Sequence, residues 1–324
     1  RYRGLPNARV RLGTCNSLRE KEQVSTPSGC DMANKLVASI ELMRVKNLGL
    51  ALIATPLGAA FALLEFSTLT DYPEVGLATL SVLFFMAAGN ALNDLSDVEI
   101  DRLAHPSRPL AQGSLSVSEA KYLIGFLAFL SVASLGGCLY LMEGSHVYTG
   151  AIYVLAVILM LTYDHGPRTK EKGLIGNISI SVLVAAVVLY GASSIEGLGA
   201  SLCWYVAGVV FFVNLAREII KDCQDMEADG ESRNTLPMSI GKEKSRMIAY
   251  VLTLIGIVFL YIPYWQGPFS FGQLLFQSPA IFILMGLNGP RWKGEDYVAA
   301  TRLRIAMLLG LIGFVVTILL RQYP

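Results

Sequence analysis

Charge is what this chain has little of. Of its 324 residues only 16% are Asp, Glu, Lys or Arg, against about 25% in an average soluble domain. Hydrophobic residues make up 53% and the mean hydropathy is +0.52, which excludes an ordinary water-soluble fold. The five cysteines (Cys15, Cys30, Cys138, Cys203, Cys223) form no CxxC pair and have no His partner; neither zinc nor a disulfide framework is indicated. No long stretch alternates apolar and polar residues, which argues against a β-barrel. No low-complexity tract or interdomain linker divides the chain, so residues 35–324 read as one membrane domain. Residues 1–31 lack the apolar centre of a signal peptide. Met32 opens a stretch that reads like a natural N-terminus, and residues 1–34 are expected to be a polar, disordered extension.

What is present is a series of apolar runs near the roughly 20 residues that a membrane helix needs. They predict helices at 36–66, 73–101, 118–142, 146–164, 174–195, 200–229, 243–264, 272–290 and 297–320. The eighth is the most diluted, by Pro279, Gly286 and Asn288. The expected fold is all-α, a polytopic bundle of nine transmembrane helices. Net charge is +1, but Lys and Arg occupy alternate connections: Arg102 and Arg108, then Arg168 to Lys172, then Arg217 to Arg246, then Arg291 to Arg304. The intervening connections carry acids such as Asp71, Glu74, Glu143 and Glu196. The positive-inside rule makes the basic side cytoplasmic, so a multi-pass protein of the cell membrane is expected.

Two acidic segments end apolar runs on that basic side. Asp94, Asp97 and Asp101 repeat the spacing of Asp222, Asp225 and Asp229. Steps of three and four place each trio on one helix stripe, where like charges repel. Carboxylates at a membrane helix end are costly unless neutralised. Hard divalent cations bound between the two stripes would neutralise them, and Mg²⁺ held this way commonly grips a phosphate or diphosphate. A solvated helix end is the plain alternative; two stripes of identical spacing on the same side weigh against it. The helical spacing does not suit an EF-hand loop, which needs alternating oxygens and a central Gly. The stripes lie 128 positions apart, from Asp94 to Asp222, each at the end of the second helix of a four-helix group. Each is followed by a Ser-Arg pair, Ser107-Arg108 and Ser232-Arg233, and then a Pro. Two parallel four-helix repeats with a ninth helix appended account for this pattern.

Arg108, Lys170, Lys172, Arg217, Lys221 and Arg233 stand beside the stripes. They serve either as topology-setting charge or as clamps on diphosphate oxygens. Arg44, Lys46 and Asn47 open the first long helix, where they either snorkel to the interface or meet an anionic acceptor. Asn90 and Asn214 lie one or two turns above the first Asp of each stripe, as cross-helix links or as chamber residues. Tyr163 is either an interfacial aromatic or a phenol beside a departing diphosphate.

On these residues the chain resembles the UbiA superfamily of intramembrane prenyltransferases, over residues 35–320. The motif Asn93, Asp94, Asp97, Asp101 and the pair Asp225, Asp229 preceded by Asp222 carry the likeness. Arg108-Pro109 with Gly113, Glu41 to Arg44 with Asn47, and Tyr163 with a following Lys and Gly176-Asn177 add to it. The Tyr-to-Lys spacing is longer than the family's usual one, leaving Lys170 and Lys172 both as candidates. Arg217 to Asp222 is most similar to the archaeal digeranylgeranylglyceryl phosphate synthases. The resemblance implies a Mg²⁺-dependent enzyme. It would transfer a geranylgeranyl group from its diphosphate to geranylgeranylglyceryl phosphate in archaeal ether-lipid synthesis. The six aspartates would hold metal. Asn90, Asn93, Arg44, Asn47, Arg108, Lys170 or Lys172, Lys221 and Arg233 would contact substrates, and Tyr163 would assist catalysis. The implied partners are a prenyl diphosphate, a lipid-soluble acceptor and the bilayer, with no nucleic acid and no obligate protein partner. An aromatic prenyltransferase acting on 4-hydroxybenzoate or another quinone precursor shares the donor half of this site. A cation or lipid-phosphate transporter is the reading from another class; it is disfavoured by the scarcity of ionisable residues at the membrane midplane.

Overall fold

The computed structural model describes residues 29–229 and 234–322, without the side chains of 29–33, 67, 104, 227–229, 291, 292 and 322. Among the described residues the chain is helical throughout, with no strand. The first half comprises α1 (Gly29–Leu42), α2 (Val45–Leu63), α3 (Pro73–Ser96), α4 (Val98–Ala104), α5 (Val117–Leu141) and α6 (Val147–Asp164). The second comprises α7 (Leu174–Ser193), α8 (Ser201–Asp229), α9 (Leu236–Ile240), α10 (Lys242–Trp265), α11 (Ser278–Met285) and α12 (Asn288–Lys293), followed by α13 (Asp296–Gln322). Nine segments of the described residues are long and apolar enough to cross a membrane. They carry large exposed apolar side chains such as Phe126, Phe129, Val154, Ile158 and Val258, which suit lipid and not water. The protein is a multi-pass membrane protein.

The apolar runs predict most helix ends closely: α5, α6, α7 and α10 begin and end within two residues of expectation. Local chemistry sets some of those ends. Ser116 Oγ accepts from the Glu119 amide, and Glu119 Oε2 accepts from the Ser116 amide at 2.9 Å, a capping box that starts α5.

Three helices expected to be continuous are broken. The span 36–66 splits at Arg44, whose backbone is left-handed (φ 51°, ψ 51°). A non-glycine residue there is strained and is held by its surroundings. The span 73–101 splits at Asp97 (φ −104°, ψ 10°) into α3 and α4. The hydrogen-bond ladder survives the bend, because the Asp97 amide reaches Asn93 O and the Asp101 amide reaches Asp97 O. The eighth span starts as a 3-10 helix, Phe271–Gln277, and becomes α-helical only at Ser278. Pro279 sits near the α11 N-terminus, where a missing N–H costs little.

The repeat is visible in the packing. α3 lies along α5 as α8 lies along α10, and α2 crosses α7 at the centre. A Cβ on Gly58 would run into the Val188 carbonyl, and a Cβ on Gly191 would run into the Thr55 carbonyl. Thr55 to Val188 and Gly58 to Gly191 are the same step of 133 positions. That reciprocity is the signature of a two-fold contact, so the pseudo-axis relating the halves passes through the α2–α7 crossing. Around it Leu57, Phe61, Val188, Val206 and Phe314 form the main buried cluster, with Phe61 edge-on to Phe314 at 5.3 Å. α13 completes the wall by packing on α8 and α11.

Candidate active site

A cavity of about 560 Å³ opens between α2, α3, α6, α7, α8 and α13. Its deeper walls are apolar and aromatic: Val82, Phe85, Met86, Tyr153, Val184 and Tyr190. Its other end reaches Asn93, Asp164, Glu218 and Lys221 at the basic ends of the helices.

The first acidic motif is buried beside that polar end. Asp94, Asp97 and Asp101 are 3%, 5% and 4% exposed, too little for a solvated helix end. Each is met by a cation. Arg44 is hydrogen-bonded to Asp94. Arg108 Nη1 lies 2.5 Å from Asp101 Oδ2 and 3.4 Å from Asp94 Oδ1. Lys170 Nζ bridges Asp97 Oδ1 at 2.7 Å and Asp164 Oδ1 at 3.0 Å, and Arg168 Nη2 stands 3.9 Å from Asp97. Removing one partner from such a buried pair strands the other charge, at about 3–5 kcal/mol. The tertiary structure explains the helix break at Arg44. The left-handed turn at Arg44 aims its guanidinium at Asp94, and Asn90 Nδ2 secures the turn by donating to Met43 O at 3.0 Å. Arg168 has the same left-handed backbone (φ 44°) beside Asp97.

The second motif is more open. Asp222 and Asp225 are half-buried. Asn177 Nδ2, from α7, donates to Asp222 Oδ2 at 2.7 Å. One turn earlier Glu218 accepts from Arg217 Nη1 at 2.6 Å and Lys221 Nζ at 2.8 Å. Lys221 therefore pairs with Glu218. The side chain of Asp229 and the whole of Arg233 lie outside the described residues. Among the described residues no three acidic, His or Cys side chains group closely enough to hold a metal by themselves.

Several expectations sharpen. Lys170 is buried on the acidic site, whereas Lys172 is exposed. Arg44 is paired with Asp94 and lines the cavity. Lys46 is exposed and presents its backbone carbonyl to Arg304 Nη2 at 3.1 Å. Asn47, Asn90, Asn93 and Tyr163 line the cavity. Asn214 also lines it and donates to Ser181 Oγ at 3.2 Å, tying α8 to α7. Sequence reasoning missed Asp164, which accepts from both Asn93 Nδ2 (2.7 Å) and Lys170. A lone acid ending an apolar run on the basic side was the available signal. Glu218 and Arg304 were likewise given no role at the site, and the contact of Asn177 with Asp222 has no local signature.

The donor chemistry fits a hard dication. Asp94, Asp97, Asp101, Asp222 and Asp225 would offer carboxylate oxygens, and Asn90 and Asn93 amide oxygens, the ligand type that Mg²⁺ takes. Buried carboxylates now balanced by protein cations are also a set whose charge a bound dication can take over.

The sequence matches the UbiA prenyltransferase family over residues 51–312. A digeranylgeranylglyceryl phosphate synthase of Pyrococcus abyssi is 32% identical over 233 residues, 71% of this chain and 78% of that protein. One of Methanosarcina mazei is 31% identical over 303 residues, 85% of this chain and 96% of that protein. A solved structure of a digeranylgeranylglyceryl phosphate synthase superposes with a TM-score of 0.67 at 28% identity, covering 88% of this chain and 98% of that one. A UbiA homologue from Archaeoglobus fulgidus, bound to GPP and Mg²⁺, gives a TM-score of 0.65 at 21% identity over 87% of this chain and 99% of its own, and bears on the fold alone. With two acidic motifs at the polar end of an apolar chamber and a match across most of its length, this chain belongs to the UbiA prenyltransferase family.

Proposed function

We propose that this protein is a Mg²⁺-dependent intramembrane prenyltransferase that moves a geranylgeranyl group from its diphosphate to geranylgeranylglyceryl phosphate, with the active site on the cytoplasmic face. One observation carries the reading: a buried, cation-laced carboxylate cluster sits at the polar end of a 560 Å³ apolar cavity. The curated relatives of this chain share the name digeranylgeranylglyceryl phosphate synthase.

The chain's own residues account for most of the chemistry. The apolar walls around Met86, Val184 and Leu311 take the prenyl tail and keep bulk water from C1. Asp94, Asp97, Asp101, Asp222, Asp225 and Asp229, with Asn90 and Asn93, would hold Mg²⁺. When bound, Mg²⁺ would neutralise the diphosphate and make it a better leaving group. Arg108, Lys170 and Arg44 are placed to turn from their carboxylates toward phosphate oxygens, supplying charge-assisted hydrogen bonds, with Arg233 expected to join them. The C1–O bond breaks and its electron pair leaves with the diphosphate. The developing allylic cation faces the rings of Phe85, Tyr153 and Tyr163. The acceptor hydroxyl oxygen then bonds to C1, and its proton passes to the cavity carboxylate Asp164 or to the diphosphate.

Purified protein in detergent, given labelled geranylgeranyl diphosphate and Mg²⁺, is expected to make a geranylgeranyl ether of geranylgeranylglyceryl phosphate and to stop on chelation with EDTA. Transfer to 4-hydroxybenzoate with none to the glyceryl phosphate would replace this reading with the aromatic one. Movement of label across a vesicle without any covalent product would replace it with transport.

A further inference from the structure

The charges lining the cavity are unevenly matched. On the first-motif wall the lining pair Arg44 and Asp164 is balanced from outside, Arg44 by Asp94 and Asp164 by Lys170. On the α8–α13 wall Arg217, Lys221 and Arg304 line the cavity with one carboxylate, Glu218. Glu218 is shared by Arg217 and Lys221, at 2.6 and 2.8 Å. Arg304 donates to a neutral partner, the Lys46 carbonyl. Arg217 Nε is buried and has no hydrogen-bond partner. Within the lining of this wall three cations thus meet one carboxylate, a surplus of two beside an apolar chamber; Asp222 and Asp225, further along α8, are the carboxylates expected to hold Mg²⁺.

Surplus charge in a partly buried site is costly unless a counter-ion arrives. A phosphate monoester carries about −1.5 to −2 charge near neutral pH, which matches the surplus. Two guanidinium groups suit its oxygens, since each offers a planar fork of donors. Met307 and Leu311, three and seven residues beyond Arg304 on α13, continue the lining as an apolar track. An amphiphile with a phosphate head and a long hydrocarbon tail fits that sequence of surfaces.

We propose that Arg217, Lys221 and Arg304 form a phosphate-monoester subsite for the lipid acceptor, separate from the diphosphate end at Asp94 to Asp101. Glu218 is a positioning residue that holds Arg217 and Lys221 toward the cavity. The acceptor phosphate is thereby expected on α8 and α13, and not at Arg44 and Lys46. This rests on the prenyltransfer reading above for the identity of the acceptor, and on the charge pattern alone for the site.

The test compares Arg304→Gln and Arg217→Gln with wild type in detergent. Each variant is expected to raise KM for geranylgeranylglyceryl phosphate by about tenfold while KM for geranylgeranyl diphosphate stays within about twofold. Dephosphorylated geranylgeranylglycerol is expected to be a poor acceptor for wild type and equally poor for both variants. Binding is read separately, as the shift in thermal unfolding midpoint with geranylgeranylglyceryl phosphate or with inorganic phosphate. The lipid phosphate is expected to stabilise wild type and not the variants, and inorganic phosphate to do far less. A rise in donor KM as large as that for acceptor would assign these cations to the diphosphate and overturn the proposal. Equal stabilisation of wild type and variants by the lipid, or stabilisation of wild type by inorganic phosphate as strong as by the lipid, would also overturn it. If wild type binds the phosphorylated lipid through these residues yet transfers nothing to it, the subsite stands and the acceptor reading falls.

Discussion

The two halves of this molecule carry the same acidic spacing in different surroundings. Asp94, Asp97 and Asp101 are almost fully buried and are met by Arg44, Arg108, Arg168 and Lys170. Asp222 and Asp225 are half-buried, and α7 of the same half gives Asp222 a neutral amide, Asn177. Even the residue one turn earlier differs: Asn90 in the first half, Glu218 in the second. The carboxylate spacing is the same in both halves while the neighbours differ. The first motif lies in a charge-balanced wall; the second is more open, and Arg217 and Lys221 share Glu218 beside it. A repeated motif in unlike surroundings suits an asymmetric reaction, in which one substrate is a diphosphate and the other an alcohol.

That contrast can be broken most strongly at the carboxylates. Asp94→Ala and Asp225→Ala are each expected to lower transfer by about a thousandfold, read as product per minute at saturating donor. Their stabilities should differ. Asp94→Ala leaves Arg44 and Arg108 short of a buried partner and should cost about 2–3 kcal/mol, reduced because both arginines are about a third exposed. Asp225→Ala should stay within about 0.5 kcal/mol of wild type. Denaturant midpoints in detergent check this, and equal losses in the two variants would remove the asymmetry.

A smaller effect sharpens the comparison. Lys170→Met takes the ammonium from Asp97 and Asp164, leaving them Arg168 and Asn93, and should cost about 2 kcal/mol along with most activity. Asn177→Ala, which removes the amide from Asp222 in the second half, should barely change stability. It should raise the Mg²⁺ needed for half-maximal rate about tenfold, because the amide orients Asp222. A Mg²⁺ titration of each variant distinguishes the two outcomes. Smallest of all, Lys172→Ala should keep rate and stability within about twofold and about 0.5 kcal/mol, since that side chain is exposed. A large loss there would return the lysine question to the start.

How much of this was legible beforehand differs by feature. α5 was expected at 118–142 and occupies Val117–Leu141; α7 was expected from 174 and begins at Leu174. Runs of about twenty apolar residues state their own length in a bilayer. The repeat and the two acidic stripes were legible as well, because spacing along a chain survives in the sequence. The breaks at Arg44 and Asp97 were not. Neither contains Pro or Gly, and the contacts each makes come from far along the chain, Asn90 to Met43 and Lys170 to Asp97. Asp164 escaped notice because a single acid has no pattern until Asn93 and Lys170 arrive beside it.

Composition and periodicity alone determined that this is a helical membrane protein with nine long apolar segments, two equivalent acidic motifs and a basic side. These are properties of neighbours along the chain, and helix geometry converts them directly into faces and lengths. Only the tertiary structure decided which cation meets which carboxylate, where the helices bend, and which wall of the cavity is left with unbalanced positive charge. Those outcomes depend on approach between helices far apart in sequence, such as α2 to α7 or α8 to α13, and electrostatic pairing is set by distance and burial that no local pattern encodes.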